Sequence, residues 1–136
     1  MKALTTSIYG KLAGSSLDTL IGGRMFKGRA PENTEFPYAV YFVVSDVPDL
    51  TFTEHFEDVL LQFSLFSSTS STTEIEDMYT ALKSLYDECA LTITGATLVW
   101  MKRANTQFMV EDVETPDGTS QIYHYAVDYD IKTSLD

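Results

Sequence analysis

The chain is poor in the residues that chemistry most often needs. It has two histidines and one cysteine. A lone Cys89 excludes an internal disulfide framework and a cysteine-ligated zinc site. His55 and His124 stand at a spacing that fits no metal-ligand motif, so no metal or cofactor is expected. No G-x-S-x-G, Walker or G-x-G-x-x-G pattern occurs. The adjacent carboxylates Glu57-Asp58 and Glu111-Asp112 would point to opposite faces of a strand, so each pair reads as solvated charge, not as an acid–base couple. A non-enzyme is expected.

Long apolar runs are missing too. None approaches the ~18 residues that span a bilayer, so no membrane partner is expected. The opening "MKALTTSIYGKLAG" is broken by Lys11 and polar residues, and it does not read as a signal peptide. A protein made and kept in the cytosol follows from this reading. Bases are scarce: nine Lys and Arg stand against twenty Asp and Glu, a formal charge of −11. That excludes a nucleic-acid reader, which needs a basic face. Lys102-Arg103 is the only adjacent basic pair, and the aromatics are not interleaved with bases as a stacking surface for single strands would require.

What is present is apolar patterning. The stretch "FPYAVYFVVSDVP" (36–48) reads as a strand, and both of its faces are apolar: Tyr38, Val40 and Phe42 on one, Ala39, Tyr41 and Val43 on the other. An antiparallel sheet often leaves one face to water, so something must cover the second. A second long strand runs from Phe56 to Phe66. The last strand alternates most cleanly, with Tyr123, Tyr125, Val127, Tyr129 and Ile131 inward and His124, Asp128, Asp130 and Lys132 outward. "TLVWM" is a further strand, which "FMV" continues beyond an interruption, and "RMFKG" is a short one. "EDVETPDGTS" reads as a turn.

Helices are expected at 3–13, from the spacing of Leu4, Ile8 and Leu12, and as a short segment capped by Ser15 or Ser16 and stopped by Gly22-Gly23. The clearest helix follows Ser71-Thr72-Thr73-Glu74, which matches a capping box. Its stripe is Ile75, Met78, Tyr79, Leu82, Leu85, Tyr86 and Cys89, so Cys89 is expected to be a buried, inert thiol. The sum is a single α+β domain over 1–136. It would have an antiparallel sheet of about four to five strands with two main helices on one face. Either the sheet folds on itself or another subunit lies on its second face.

Charge is unevenly placed. Arg24, Lys27 and Arg29 form one basic segment, joined by Glu32 in a Pro- and Asn-rich loop. Asp46, Asp49, Glu54, Glu57 and Asp58 lie in or beside the arm that follows the first long strand and contains Phe52 and His55. Glu111, Asp112, Glu114 and Asp117 surround the last turn. Ordinary solvated loops would look like this. The sharper reading is that the basic loop of one copy meets the acidic arm of the next.

Several segments together carry a likeness to a family. Gly23-Arg24 is followed by Ala30-Pro31 and Phe36-Pro37-Tyr38. A long strand leads into a Ser/Thr-capped helix, and a terminal turn and strand end in "VDYDI". Over nearly its whole length the chain resembles the tail-completion (tail terminator) proteins of long-tailed bacteriophages. The resemblance implies a homo-oligomeric ring, usually a hexamer, on the last ring of the tail tube. Such a ring stops tube growth and presents a surface to the head completion or connector protein. It places the chain in the virion, at the head-proximal end of the tail, after synthesis in the bacterial host cytoplasm. DNA would pass the acidic lining without specific binding. Subunit and partner contacts would fall on Arg24, Lys27, Arg29, Glu32, Asp46, Asp49, Phe52, Glu54, His55, Glu111, Asp112 and Asp117. Another neck or tail-tube ring component is the nearest alternative. A small-ligand-binding domain with a pocket between helices and sheet is the alternative of a different class.

Overall fold

The computed structural model describes residues 2–115 and 118–136. Helix α1 (Lys2–Leu12) buries Leu4, Ile8 and Leu12 on one side. Helix α2 (Ser16–Ile21) begins at Ser15, whose hydroxyl oxygen accepts from the Asp18 amide at 3.2 Å. It ends at Gly22, where φ is +59°, a left-handed value that glycine adopts without a Cβ clash.

The strands are β1 (Met25–Lys27), β2 (Tyr38–Leu50), β3 (His55–Ser67), β4 (Thr92–Ile93), β5 (Ala96–Thr115) and β6 (Gly118–Leu135), with helix α3 (Thr73–Tyr86) between β3 and β4. They form one six-stranded sheet in the order β1-β2-β3-β6-β5-β4. The sheet thus exceeds the four to five strands expected and carries three helices. It is also not wholly antiparallel, because β1 runs parallel to β2, with Met25 opposite Ala39. A tight turn closes an antiparallel pair, but a parallel pair needs a crossover. The stretch 28–37 is that crossover, and it runs over the face of the sheet opposite the helices.

The helix-covered face holds the core. Leu61, Phe63 and Leu65 of β3 and Val127, Tyr129 and Ile131 of β6 are fully buried there with Ile75, Met78, Leu82 and Tyr86 of α3. Phe63 stacks on Tyr86 with ring centroids 4.7 Å apart, and the Tyr86 hydroxyl donates to the Ile8 carbonyl at 2.7 Å, tying α3 to α1. Burial pushes the Tyr86 and Tyr129 phenols well above their ordinary pKa. For Tyr129, a hydrogen bond to Asp87 adds to the effect.

Four local expectations change or sharpen. The capping box does not form. The Glu74 carboxylate accepts instead from the Ser67 hydroxyl at 2.7 Å, and the Ser71 oxygen accepts from the Thr73 amide. Helix α3 ends at Tyr86, so Cys89 lies past it, half-buried, with its sulfur 3.6 Å from that of Met101. Burial raises its thiol pKa, which keeps the reactive thiolate scarce. The interruption between "TLVWM" and "FMV" is a pair of register shifts, at Leu98/Trp100 and Arg103/Asn105, within one continuous strand. The stretch read as the turn "EDVETPDGTS" is strand on both sides of 116–117.

Candidate assembly surfaces

Three features leave the core unit: the tip of the β2–β3 hairpin, the crossover over the helix-free face, and the β5–β6 ribbon. Their placement follows from register. Phe56 of β3 pairs with Ser134 near the end of β6, so the tip at 51–54 passes beyond the last rung at one end of the sheet. Ser67 pairs with Tyr123, so the ribbon beyond that pair continues as two strands at the other end. The crossover enters β2 at Tyr38, opposite Phe66, and therefore shares the ribbon's end.

The hairpin tip is rigidly closed. The Thr51 amide donates to the Glu54 carbonyl at 2.9 Å, and the Glu54 amide donates to the Thr51 hydroxyl oxygen at 3.0 Å. This turn holds Phe52 out with 109% of its reference surface exposed. Val47 and Leu50 beneath it are also exposed, as are Asp46, Glu54 and His55. Asp49 accepts from Lys132 at 3.2 Å, which braces the arm against β6.

The crossover is fastened at its base. Arg24 donates through Nε to the Pro37 carbonyl at 3.0 Å, through Nη2 to the Phe36 carbonyl at 3.5 Å, and pairs with Glu35 at 4.0 Å. Lys27 donates to the Thr5 hydroxyl at 2.9 Å, tying β1 to α1. Both cations therefore serve the fold of their own chain. Arg29 and Glu32 stay exposed, and neither forms an ion pair among the described residues.

Between crossover and sheet lies a groove of about 580 Å³, floored by Tyr38, Val40, Phe42 and Phe66, with Arg29 and Val113 on its walls. An aromatic row runs across the same face: Phe36 to Tyr38 at 5.1 Å, Tyr38 to Phe66 at 4.9 Å, and Phe66 to His124 at 4.3 Å. His124 Nδ1 lies 3.1 Å from Glu111. His124 is thus stacked and only slightly exposed, not the free outward side chain its alternation implied. Asp112 is exposed, while Asp117 and the side chain of Glu114 lie outside the described residues.

Of the residues read as contacts, the structure groups Asp46, Asp49, Phe52, Glu54 and His55 on one hairpin. Arg24, Lys27, Arg29 and Glu32 belong to the crossover and its base at the other end, and Glu111 and Asp112 to the ribbon. The groove floor was missed. Its signal was the apolar face Tyr38–Val40–Phe42, whose cover could not be traced before the parallel pairing of β1 was known. Among the described residues no cluster of three or more His, Cys, Asp or Glu could hold a metal, and no helix is long and apolar enough to cross a membrane.

The family model described as "Tail completion protein gp17" matches residues 6–134. The chain belongs to this tail completion family. It is a structural component of a phage-type tail. Among solved structures, a chain from "Virion of native gene transfer agent (GTA) particle" superposes with a TM-score of 0.75 at 13% identity, over 96% of this chain and 94% of that one. A second solved chain superposes with a TM-score of 0.55 at 14% identity, over the same shares of each. At such identities these two likenesses concern the fold. No curated protein sequence matches.

Proposed function

We propose that this tail completion protein closes into a ring, a hexamer in the form typical of its family, on the last ring of the tail tube. There it ends tube growth and offers its other surface to the head connector. The observation that carries the reading is family membership over 6–134. The geometry supports it. Two unlike surfaces, a protruding hairpin and a grooved end, lie at opposite ends of one rigid strand, as a head-to-tail ring requires. The charge of −11 suits a lumen that DNA passes without adhering. The exposed Arg29, Glu32, Asp46, Phe52, Glu54, His55 and Asp112 supply the contacts, with Asp49, Glu111, Arg24 and Lys27 bracing them.

Among the described residues, fully buried side chains fill most of the space between helices and sheet. The hollow between α1 and the sheet at Leu4, Ile93 and Thr133 is about 80 Å³, well below the roughly 300 Å³ of a small-ligand site. Electron microscopy of particles made without this gene tests the reading. Tubes should overrun their normal length and fail to join filled heads. Normal-length tails joined to heads would exclude the terminator role and favour another neck or tube position.

A further inference from the structure

The groove under the crossover and the tip of the hairpin are unlike surfaces, and one copy cannot join its own. The groove floor lies at Val40, and the tip follows Leu50 at the far end of the same strand, roughly 33 Å away at 3.3 Å per residue. The strand is paired along its length with β3, so it cannot fold back. The tip displays an aromatic ring with no partner, held by a closed turn. The groove presents a largely apolar floor in which Val40 and Ser64 are buried and Tyr38, Phe42 and Phe66 are partly exposed. Among the described residues Arg29 is the one charged side chain lining that groove; burial, and after it the Glu111 carboxylate, raises the pKa of the Tyr38 phenol on its floor. The hairpin's Asp46 and Glu54 have no ion pair among the described residues.

We propose that Phe52 of one copy seats in the groove of the next, with Arg29 of the receiving copy against the hairpin carboxylates. This rests on the ring reading and deepens it. A protruding aromatic side chain suits an apolar groove, opposite charge fixes orientation, and a pre-formed turn reduces the ordering cost of the contact. An aromatic anchor in a desolvated pocket is where interface energy concentrates. The two patches differ, so each copy gives one and receives one, and such a head-to-tail series makes a ring where its rotation closes.

The test is a disulfide trap. Phe52→Cys and Ala30→Cys are placed in one chain whose Cys89 is changed to Ala, and the protein is oxidised both free and on purified tail tubes. Non-reducing denaturing electrophoresis should show a ladder of covalent dimers, trimers and higher species that stops at the ring number. Each single-cysteine variant should stop at dimers or below. Separately, Phe52→Ala should raise the concentration needed for assembly roughly tenfold or more, with the melting temperature of the monomer unchanged. Arg29→Glu should weaken assembly, and adding Glu54→Arg should restore it.

A ring by native mass measurement with no ladder, and with full assembly of Phe52→Ala, overturns this contact and leaves the ring reading standing. Cross-linking of position 52 to the tube protein also overturns it. Monomers both free and on tubes would overturn the ring and the contact together.

Discussion

On the helix-covered face, Leu61, Phe63, Leu65, Val127, Tyr129 and Ile131 are shut off from solvent. On the other face, their sequence neighbours Leu60, Gln62, Phe66, Asp128, Asp130 and Lys132 stay partly open. The first face is filled by side chains from three helices. The second changes character along its length. Near the hairpin it is polar: Gln62 donates to Asp128 at 2.8 Å, and Lys132 lies over Phe56 and Trp100 while bonding Asp49. Near the crossover it is aromatic and grooved. One sheet thus has a closed face that carries the core and a partly open face to which the proposed function assigns contact. A residue's effect should follow the face it occupies.

The largest effect should come from Phe63→Ala. It empties the centre of the closed face, where Phe63 meets Tyr41, Tyr86 and Tyr129, and should cost about 3–5 kcal/mol in denaturant unfolding. Phe66→Ala removes a ring of the same size from the open face. It loses the stacks on Tyr38 and His124 but leaves less cavity, so about 1–2 kcal/mol is expected. Equal losses at the two sites would break the comparison.

Alkaline pH should probe the closed face by another route. Tyr86 and Tyr129 keep their protons in the folded chain above pH 10.0, the ordinary phenol value at which the unfolded chain loses them. The unfolded state then binds fewer protons than the native one, so stability is fully present below about pH 10 and falls as pH rises beyond it. Urea midpoints measured from pH 8 to 11 should show the fall, and Tyr86→Phe should make it shallower. An unchanged slope in that variant would remove Tyr86 from the account. The smallest effect on stability should be that of Phe52→Ala, within about 0.5 kcal/mol by thermal melting of the monomer, because the ring touches nothing in its own chain.

The same division explains what could be read from the sequence. The period-two pattern at Tyr123–Ile131 named the inward residues, because burial against helices enforces alternation. The Ser15 cap and the glycine stop were legible because each acts within a few residues. The parallel pairing of β1 was not, since Met25–Lys27 is too short to carry a pattern and its partner is fixed by the crossover. The capping box failed because Ser67, outside the motif, takes the Glu74 carboxylate. The arm and basic loop were visible as charge and turn residues, but Arg24 and Lys27 proved to be fasteners of their own chain. The groove depends on two segments meeting, which no local pattern encodes.

Under the proposed function, this tail completion protein sits as one ring at the end of the tube that joins the head. Cryo-electron microscopy of tails assembled with and without it, followed by symmetry averaging at both ends, measures this directly. The account predicts one added ring at the head-proximal end only, with each copy's hairpin reaching its neighbour. Density for the chain along the tube, at the distal end, or as isolated copies without contact would contradict it.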